Sequence, residues 1–334
     1  MLLLRKLLFP FALIYWVVTA VRNFFYDKRI FHSASYNIPV IAVGNLNVGG
    51  TGKTPQIEYL IRLLSKDQKV AVLSRGYKRK SKGFILADDT ATAETIGDEP
   101  FQYFEKFTDV VVAVDSNRRN GIEKLMQLGV DVILLDDAFQ HRKVKAGFYV
   151  LLTAYNDLYS DDYLLPMGNL REASSGSKRA DVVIVTKCPQ ELSESEQVTT
   201  IRKLKIASHQ QIYFSKVAYD DKVLSNDGHL TVSDIKKVPK LLVAGIAKPK
   251  PFFDFLKSND DQVLEFPDHH DFSSGDISAI LKKAEGRLII TTEKDYVRLK
   301  GKLPSSQLYY LAIRSRILDS ENFNKTILNY VGKS

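Results

Sequence analysis

Cysteine is nearly absent from this 334-residue chain. Cys188 stands alone, which excludes an internal disulfide and a metal site built from several thiolates. No uninterrupted apolar segment reaches the roughly 20 residues that a helix needs to span a bilayer. No internal repeat and no low-complexity tract breaks the chain. Acidic residues are outnumbered: 39 Asp and Glu face 47 Lys and Arg, a formal net charge of +8 that favours anionic partners. Charge alone does not choose among nucleotide, nucleic acid and an anionic membrane. No helicase-like motif or aromatic-basic platform supports nucleic acid, so none is expected as a partner.

The nearest approach to a span is Leu7–Val21, about 15 residues. Arg5, Lys6, Arg22, Lys28 and Arg29 flank it, and Tyr15, Trp16, Phe24, Phe25 and Tyr26 supply interfacial aromatics. A cleaved signal peptide lacks a clean small-x-small site. A full span needs extension into Leu2–Leu4 with snorkelling cations, and a buried helix of a soluble core is a further reading. An interfacial or partly inserted anchor fits the length best.

What is present is a phosphate-binding loop. The apolar run Pro39-Val-Ile-Ala-Val-Gly44 leads to Asn47-Val48-Gly49-Gly50-Thr51-Gly52-Lys53-Thr54, followed by helical apolar spacing over 56–64. Strand, glycine loop, Lys-Thr, helix is the P-loop layout. Glycines let backbone N–H groups close on phosphate oxygens, Lys53 reaches the β- and γ-phosphates, and Thr54 ligates Mg²⁺. The usual first glycine is replaced by Asn47. The bland alternative, a Gly-rich turn capping a helix, does not explain Gly-Lys-Thr.

Further β-branched runs at 69–74, 109–114, 130–135, 148–152 and 180–186 alternate with helical patterns. They predict an α/β protein with a P-loop NTPase-like parallel sheet covered by helices on both faces. Runs at 240–245 and 287–292, with a helix starting at Pro251, predict a second, smaller α/β domain. The expected division is a membrane-associated helix over 1–30, a kinase domain over 31–205, and a domain over 206–334 that closes over the cleft.

Chemistry-bearing residues gather at the expected strand ends, where ligands of such sheets bind. Asp136 and Asp137 end an apolar strand in the Walker B manner and are candidates for Mg²⁺ and its waters. Strand-end Asp also caps helices. His141 is a site candidate or a turn residue. Arg75, Arg118, Arg119 and Arg171 would together suit a phosphorylated substrate, although each alone reads as a surface cation. Asp98 and Glu99 precede Pro100, and on these residues alone helix-terminal placement is the better explanation. The cluster Asp268-His269-His270-Asp271 suggests an acid/base device more than a metal site. Thr292-Glu293-Lys294-Asp295 reads as a charged loop or part of a cleft.

Taken in order, Gly44–Pro55, Ser74-Arg-Gly-Tyr77, Gly97-Asp-Glu-Pro100, Asp136-Asp-Ala-Phe-Gln-His141, Leu170-Arg-Glu172, Phe266-Pro-Asp-His269 and Thr292-Glu-Lys-Asp295 closely resemble the tetraacyldisaccharide 4′-kinase family of Gram-negative bacteria. The resemblance implies an ATP- and Mg²⁺-dependent phosphotransferase acting on the 4′-hydroxyl of tetraacyldisaccharide 1-phosphate to give lipid IVA. It implies work at the cytoplasmic face of the inner membrane, and a monomer is expected. It also implies that Asp98 and His269 are the catalytic acid/base pair beside Lys53, displacing the helix-terminal reading of Asp98. Asp136, Asp137 and Glu99 then sit around the metal with Thr54, and Arg118 meets phosphate or substrate. Lys78, Ala138 and the Pro166-Met-Gly-Asn169 stretch depart from the family pattern without touching these groups. An alternative owner of such a loop is a membrane-associated ATPase switch of the partitioning type. Its signature lysine before the paired glycines is Val48 here.

Overall fold

The computed structural model describes residues 5–268 and 270–332. The strands are β1 (Val40–Asn45), β2 (Val70–Ser74), β3 (Ile85–Leu86), β4 (Val111–Val114), β5 (Val132–Asp136), β6 (Phe148–Ala154), β7 (Val182–Cys188), β8 (Gln211–Ser225), β9 (Gly228–Thr231), β10 (Lys240–Ala244), β11 (Gln262–Glu265), β12 (Leu288–Thr292) and β13 (Leu308–Ile317). One sheet runs through both halves in the order β11-β10-β12-β13-β8-β7-β6-β1-β5-β2-β4-β3, with β9 on β8. Neighbours are parallel except at β13/β8, β3/β4 and β8/β9.

In the N-terminal half, successive residues of each strand feed opposite faces. Ile41, Val43, Val70, Val72, Val132 and Leu134 pack with Ile57, Leu60, Ile61 and Leu64 of helix Lys53–Leu64. Val40, Ala42, Ala71, Leu73, Ile133 and Leu135 pack with Ile122 and Leu125 of helix Arg118–Gln127. The terminal helix Ser320–Val331 returns to this half, burying Phe323, Ile327 and Val331 in the first of these layers.

The long strand β8 sets the relation of the halves. Its first residues pair with β7, which ends at Cys188↔Lys216, and the strand then runs on beyond β7. The antiparallel partner β13 covers that overhang from Leu224↔Tyr310 back to Ser215↔Ile317. β12 lies parallel to β13, with Thr292 opposite Leu311. The strands of the two halves therefore point at each other, and their C-terminal ends face across a common cleft. Such ends collect ligands in α/β sheets.

Helix Phe9–Asp27 lies against the N-terminal half by polar ties. Tyr15 Oη donates to Arg171 O at 2.7 Å, Asn23 Nδ2 to Glu172 Oε2 at 3.0 Å, and Arg142 Nη2 to Asp27 Oδ1 at 2.7 Å. Of its side chains only Ala12 and Thr19 are buried. Phe11, Ile14 and Val18 are each about 60% exposed, and the 19-residue helix is long and apolar enough to cross a membrane.

Candidate active site

The P-loop joins β1 to helix Lys53–Leu64. Gly49 at φ +136° and Gly52 at φ +88° hold backbone conformations that side chains strain, so the loop can curl with its amides inward. Asn47, at the usual first glycine, is fully buried and donates through Nδ2 to Asp162 Oδ2 at 3.2 Å. Val48 is half exposed, and its N–H is held by Asn169 O at 2.7 Å. Thr186 Oγ1 at the end of β7 donates to Thr51 O at 2.6 Å, and Lys187 Nζ donates to Gly50 O. The loop is thus braced by the neighbouring strand end.

Lys53 Nζ lies 3.3 Å from Asn45 Oδ1 and 3.7 Å from Asp137 Oδ1. Arg171 grips both Asp137 oxygens at 3.0 and 3.1 Å and also reaches Asn45 Oδ1 at 3.2 Å. Burial raises the Asp137 carboxyl, but Lys53 and Arg171 outweigh it and hold the group below its ordinary value. Asp136 behaves oppositely. It is buried at the end of β5, and burial, helped by Glu99 and Asp137, pushes it up to about 7 against Lys53 and Arg118. Its Oδ2 accepts from Ser74 Oγ at 3.4 Å, whereas Oδ1 has no hydrogen-bond partner among the described residues. A buried acceptor left open beside a cationic loop is what an incoming cation or water would satisfy.

Glu99 Oε1 accepts from Thr54 Oγ1 at 3.4 Å and from Lys294 Nζ of the C-terminal half at 3.3 Å. Asp98, its neighbour, is the first residue of helix Asp98–Lys106, whose cap position belongs to Gly97. Arg298 Nη2 donates to Asp98 Oδ2 across the cleft. Among the described residues no three His, Cys, Asp or Glu side chains converge on one point as a ready-made metal cage. A Thr hydroxyl with one or two carboxylates and phosphate oxygens is nevertheless the donor set Mg²⁺ prefers.

Arg118 is buried and donates to Asp115 O and Asp136 O, so its charge acts from beneath the Walker B turn. Burial and then Arg118 push His141 down to about 4, leaving a neutral imidazole whose Nε2 has no partner among the described residues. Arg75, the residue after the end of β2, is exposed. His269 lies outside the described residues. His270 is committed elsewhere: its Nε2 is 3.1 Å from Asp276 Oδ2, and its ring stacks on Phe266.

Sequence reasoning missed Asn45, which orients Lys53 and Arg171 together, and Gln140 and Glu172, which tie the Walker B turn to the N-terminal helix. Asn45 and Glu172 stood inside recognised motifs, but nothing local marked their partners.

The sequence matches the family LpxK, Tetraacyldisaccharide-1-P 4′-kinase, over residues 4–332. It is 59% identical over 332 residues, 98% of each chain, to a tetraacyldisaccharide 4′-kinase of Flavobacterium johnsoniae. A Bacteroides thetaiotaomicron relative of the same description is 44% identical, covering 98% of this chain and 93% of its own. The fold superposes on the crystal structure of an "apo" form LpxK from Aquifex aeolicus in complex with ATP. The TM-score is 0.80 at 30% identity, covering 98% and 99% of the two chains. By sequence and fold over nearly its whole length, the chain belongs to the tetraacyldisaccharide 4′-kinase family, ATP-binding kinases of lipid A biosynthesis.

Proposed function

We propose that this cleft moves the γ-phosphoryl group of ATP onto the 4′-hydroxyl of tetraacyldisaccharide 1-phosphate, giving lipid IVA and ADP. The observation that carries the reading is the contact between Thr54 and Glu99, which sets Asp98 next in the chain to the carboxylate that touches the P-loop threonine. Lys53, the loop amides and the helix N-terminus hold the β- and γ-phosphates. Asp98 takes the proton of the 4′-hydroxyl as its oxygen bonds to phosphorus and the bond to the β–γ bridging oxygen breaks. Lys53 then neutralises the charge left on ADP. His269 orients Asp98. Thr54, Asp136, Asp137 and Glu99 would hold Mg²⁺, which supplies charge neutralisation of the phosphates when bound. Arg75, Arg171 and His141 face the lipid disaccharide, and Arg118 supports them from below.

The enzyme acts as a monomer at the cytoplasmic face of the inner membrane, with the apolar face of helix Phe9–Asp27 in the lipid. Residues 206–334 close over the cleft carried by 31–205, the Asp98–Arg298 and Glu99–Lys294 pairs spanning the gap. The test is Asp98→Ala with Mg²⁺, ATP and detergent-dispersed lipid. Turnover should fall by about 10²–10⁴, the usual worth of a general base, with ATP affinity nearly unchanged. Collapse of ATP binding would remove Asp98 from this role.

A further inference from the structure

The segment Thr292-Glu293-Lys294-Asp295 follows β12 and opens helix Glu293–Leu299. Three of its four side chains, Thr292, Glu293 and Asp295, are buried, with Asp295 Oδ1 lacking a hydrogen-bond partner among the described residues. Thr292 caps the helix and donates to Asp295 Oδ2 at 2.7 Å, and that same oxygen accepts from Gly245 N at 2.8 Å. Glu293 is buried against Lys106 at 2.7 Å. Lys294 is the exception. It reaches out of the C-terminal half, one-third exposed, to Glu99 Oε1.

That oxygen is the one accepting from Thr54 Oγ1. The Lys294 ammonium therefore stands two hydrogen-bond lengths from the P-loop threonine, on the opposite wall from Lys53. A P-loop threonine lies beside the β- and γ-phosphates. In-line transfer requires the acceptor to approach from the side away from the β-phosphate. Asp98, adjacent to Glu99, marks that side under the proposed function. The ammonium is thus on the γ-phosphoryl end of the nucleotide, not the base end.

We propose that Lys294 is a further catalytic residue, a cation carried by the C-terminal half that leaves Glu99 for the γ-phosphoryl oxygens when ATP binds. It neutralises charge on the transferred group while Lys53 serves the leaving side. The Lys187 ammonium is electrostatically coupled to Lys248, Lys294 and Lys53, so several cations share this region of the cleft. The exchange also ties closure of the two halves to the presence of a third phosphate. This inference rests on the ATP-dependent reading of the cleft, and its nucleotide-binding test needs no lipid.

Displacement of a fluorescent ADP analogue, with Mg²⁺ present, gives dissociation constants for ATP and ADP. Lys294→Met should weaken ATP about tenfold more than ADP, and Lys294→Arg should restore most of that preference. Lys300→Met serves as a control, because it breaks the neighbouring Lys300–Glu105 pair between the same two helices. It should leave the ratio unchanged. Equal weakening of ATP and ADP by Lys294→Met, or the same selective loss in Lys300→Met, overturns the assignment. So does a change confined to the KM for the lipid, which would make the lipid's own phosphate the ligand. Failure of the unsubstituted protein to phosphorylate the disaccharide would instead strike the proposed function, leaving the nucleotide ratio to be read independently.

Discussion

Replacing Lys106 with methionine tests how three helices are locked behind the cleft. Lys106 Nζ lies 2.8 Å from Glu58 Oε2 on the P-loop helix and 2.7 Å from Glu293 Oε1 on the C-terminal half. Arg62 and Gln102 also face Glu58, each at 3.2 Å. Burial first, and then Glu58, push Glu293 from 4.5 up to about 7, with Lys106 opposing. The folded chain therefore holds a proton on Glu293 that the unfolded chain has already released, and stability falls as pH rises from 4.5 to 7. Above 7 both states are ionised and the slope vanishes. Removing Lys106 takes away the cation that opposes this rise, so the folded value moves up further and the decline continues above 7. The variant's deficit relative to the parent therefore grows above pH 7, by about 1.4 kcal/mol for each unit of further rise, and stays flat below 6. Urea midpoints at pH 6, 7, 8 and 9 measure it. A deficit constant across that range would refute the reasoning. The change should also disappear in a Glu293→Gln background, where no proton remains to be held.

Other consequences follow from single positions. A methyl group at Gly44 would sit 2.7 Å from Phe139 Cβ and 3.0 Å from its backbone nitrogen. Gly44→Ala should therefore cost about 1–3 kcal/mol by overpacking and weaken ATP by shifting the Walker B turn, read by thermal melting and nucleotide titration. His141, held at about 4, stays neutral while the unfolded imidazole takes up its proton near 6.5, so stability is lost as pH falls through that window. His141→Gln should remove on the order of 1–2 kcal/mol of that acid loss, allowing for the ring's partial exposure; melting curves at pH 4.5 and 7 that shift equally in both proteins would contradict it. Ile14→Asp with Val18→Asp should abolish flotation of the chain with phospholipid vesicles while leaving ATP binding intact, since both side chains face outward.

The parts of the site that lie within one loop were legible because their chemistry is written consecutively. Gly49 to Thr54 announces phosphate binding whatever the rest of the chain does, and β1, β2, β5 and residues 182–185 of β7 are mostly apolar runs buried on both faces. The strands that join the halves were not read. β8 includes Lys216, Asp220, Asp221 and Lys222, and β13 includes Arg314 and Arg316, because both are only partly covered. Their pattern resembles that of a polar connector. Asp98 was illegible for a different reason: its cation, Arg298, is 200 residues away, and only the family resemblance singled the carboxylate out. His270 shows the converse, since a dense His/Asp cluster holds a histidine spent on a helix-capping aspartate.

The reversal that joins the halves and the pairing of Asp98 share one structural origin. Had β8 ended with β7 near Cys188, β13 could not have paired antiparallel along its extension, and the strands of the second half would have no frame opposing those of the first. The overhang turns β12 so that Thr292 and the helix after it face the P-loop instead of the far edge of the sheet. Lys294 and Arg298 meet Glu99 and Asp98 because of that reversal, although neither residue has a local reason to be functional. An insertion of two residues in β8 beyond Lys216 would keep side-chain alternation while displacing the second half by about 7 Å. Nucleotide would still bind the P-loop, but the carboxylates of Asp98 and Glu99 would lose their opposing cations. Retention of full turnover by such a variant would show that the facing of the two strand sets is incidental to the chemistry.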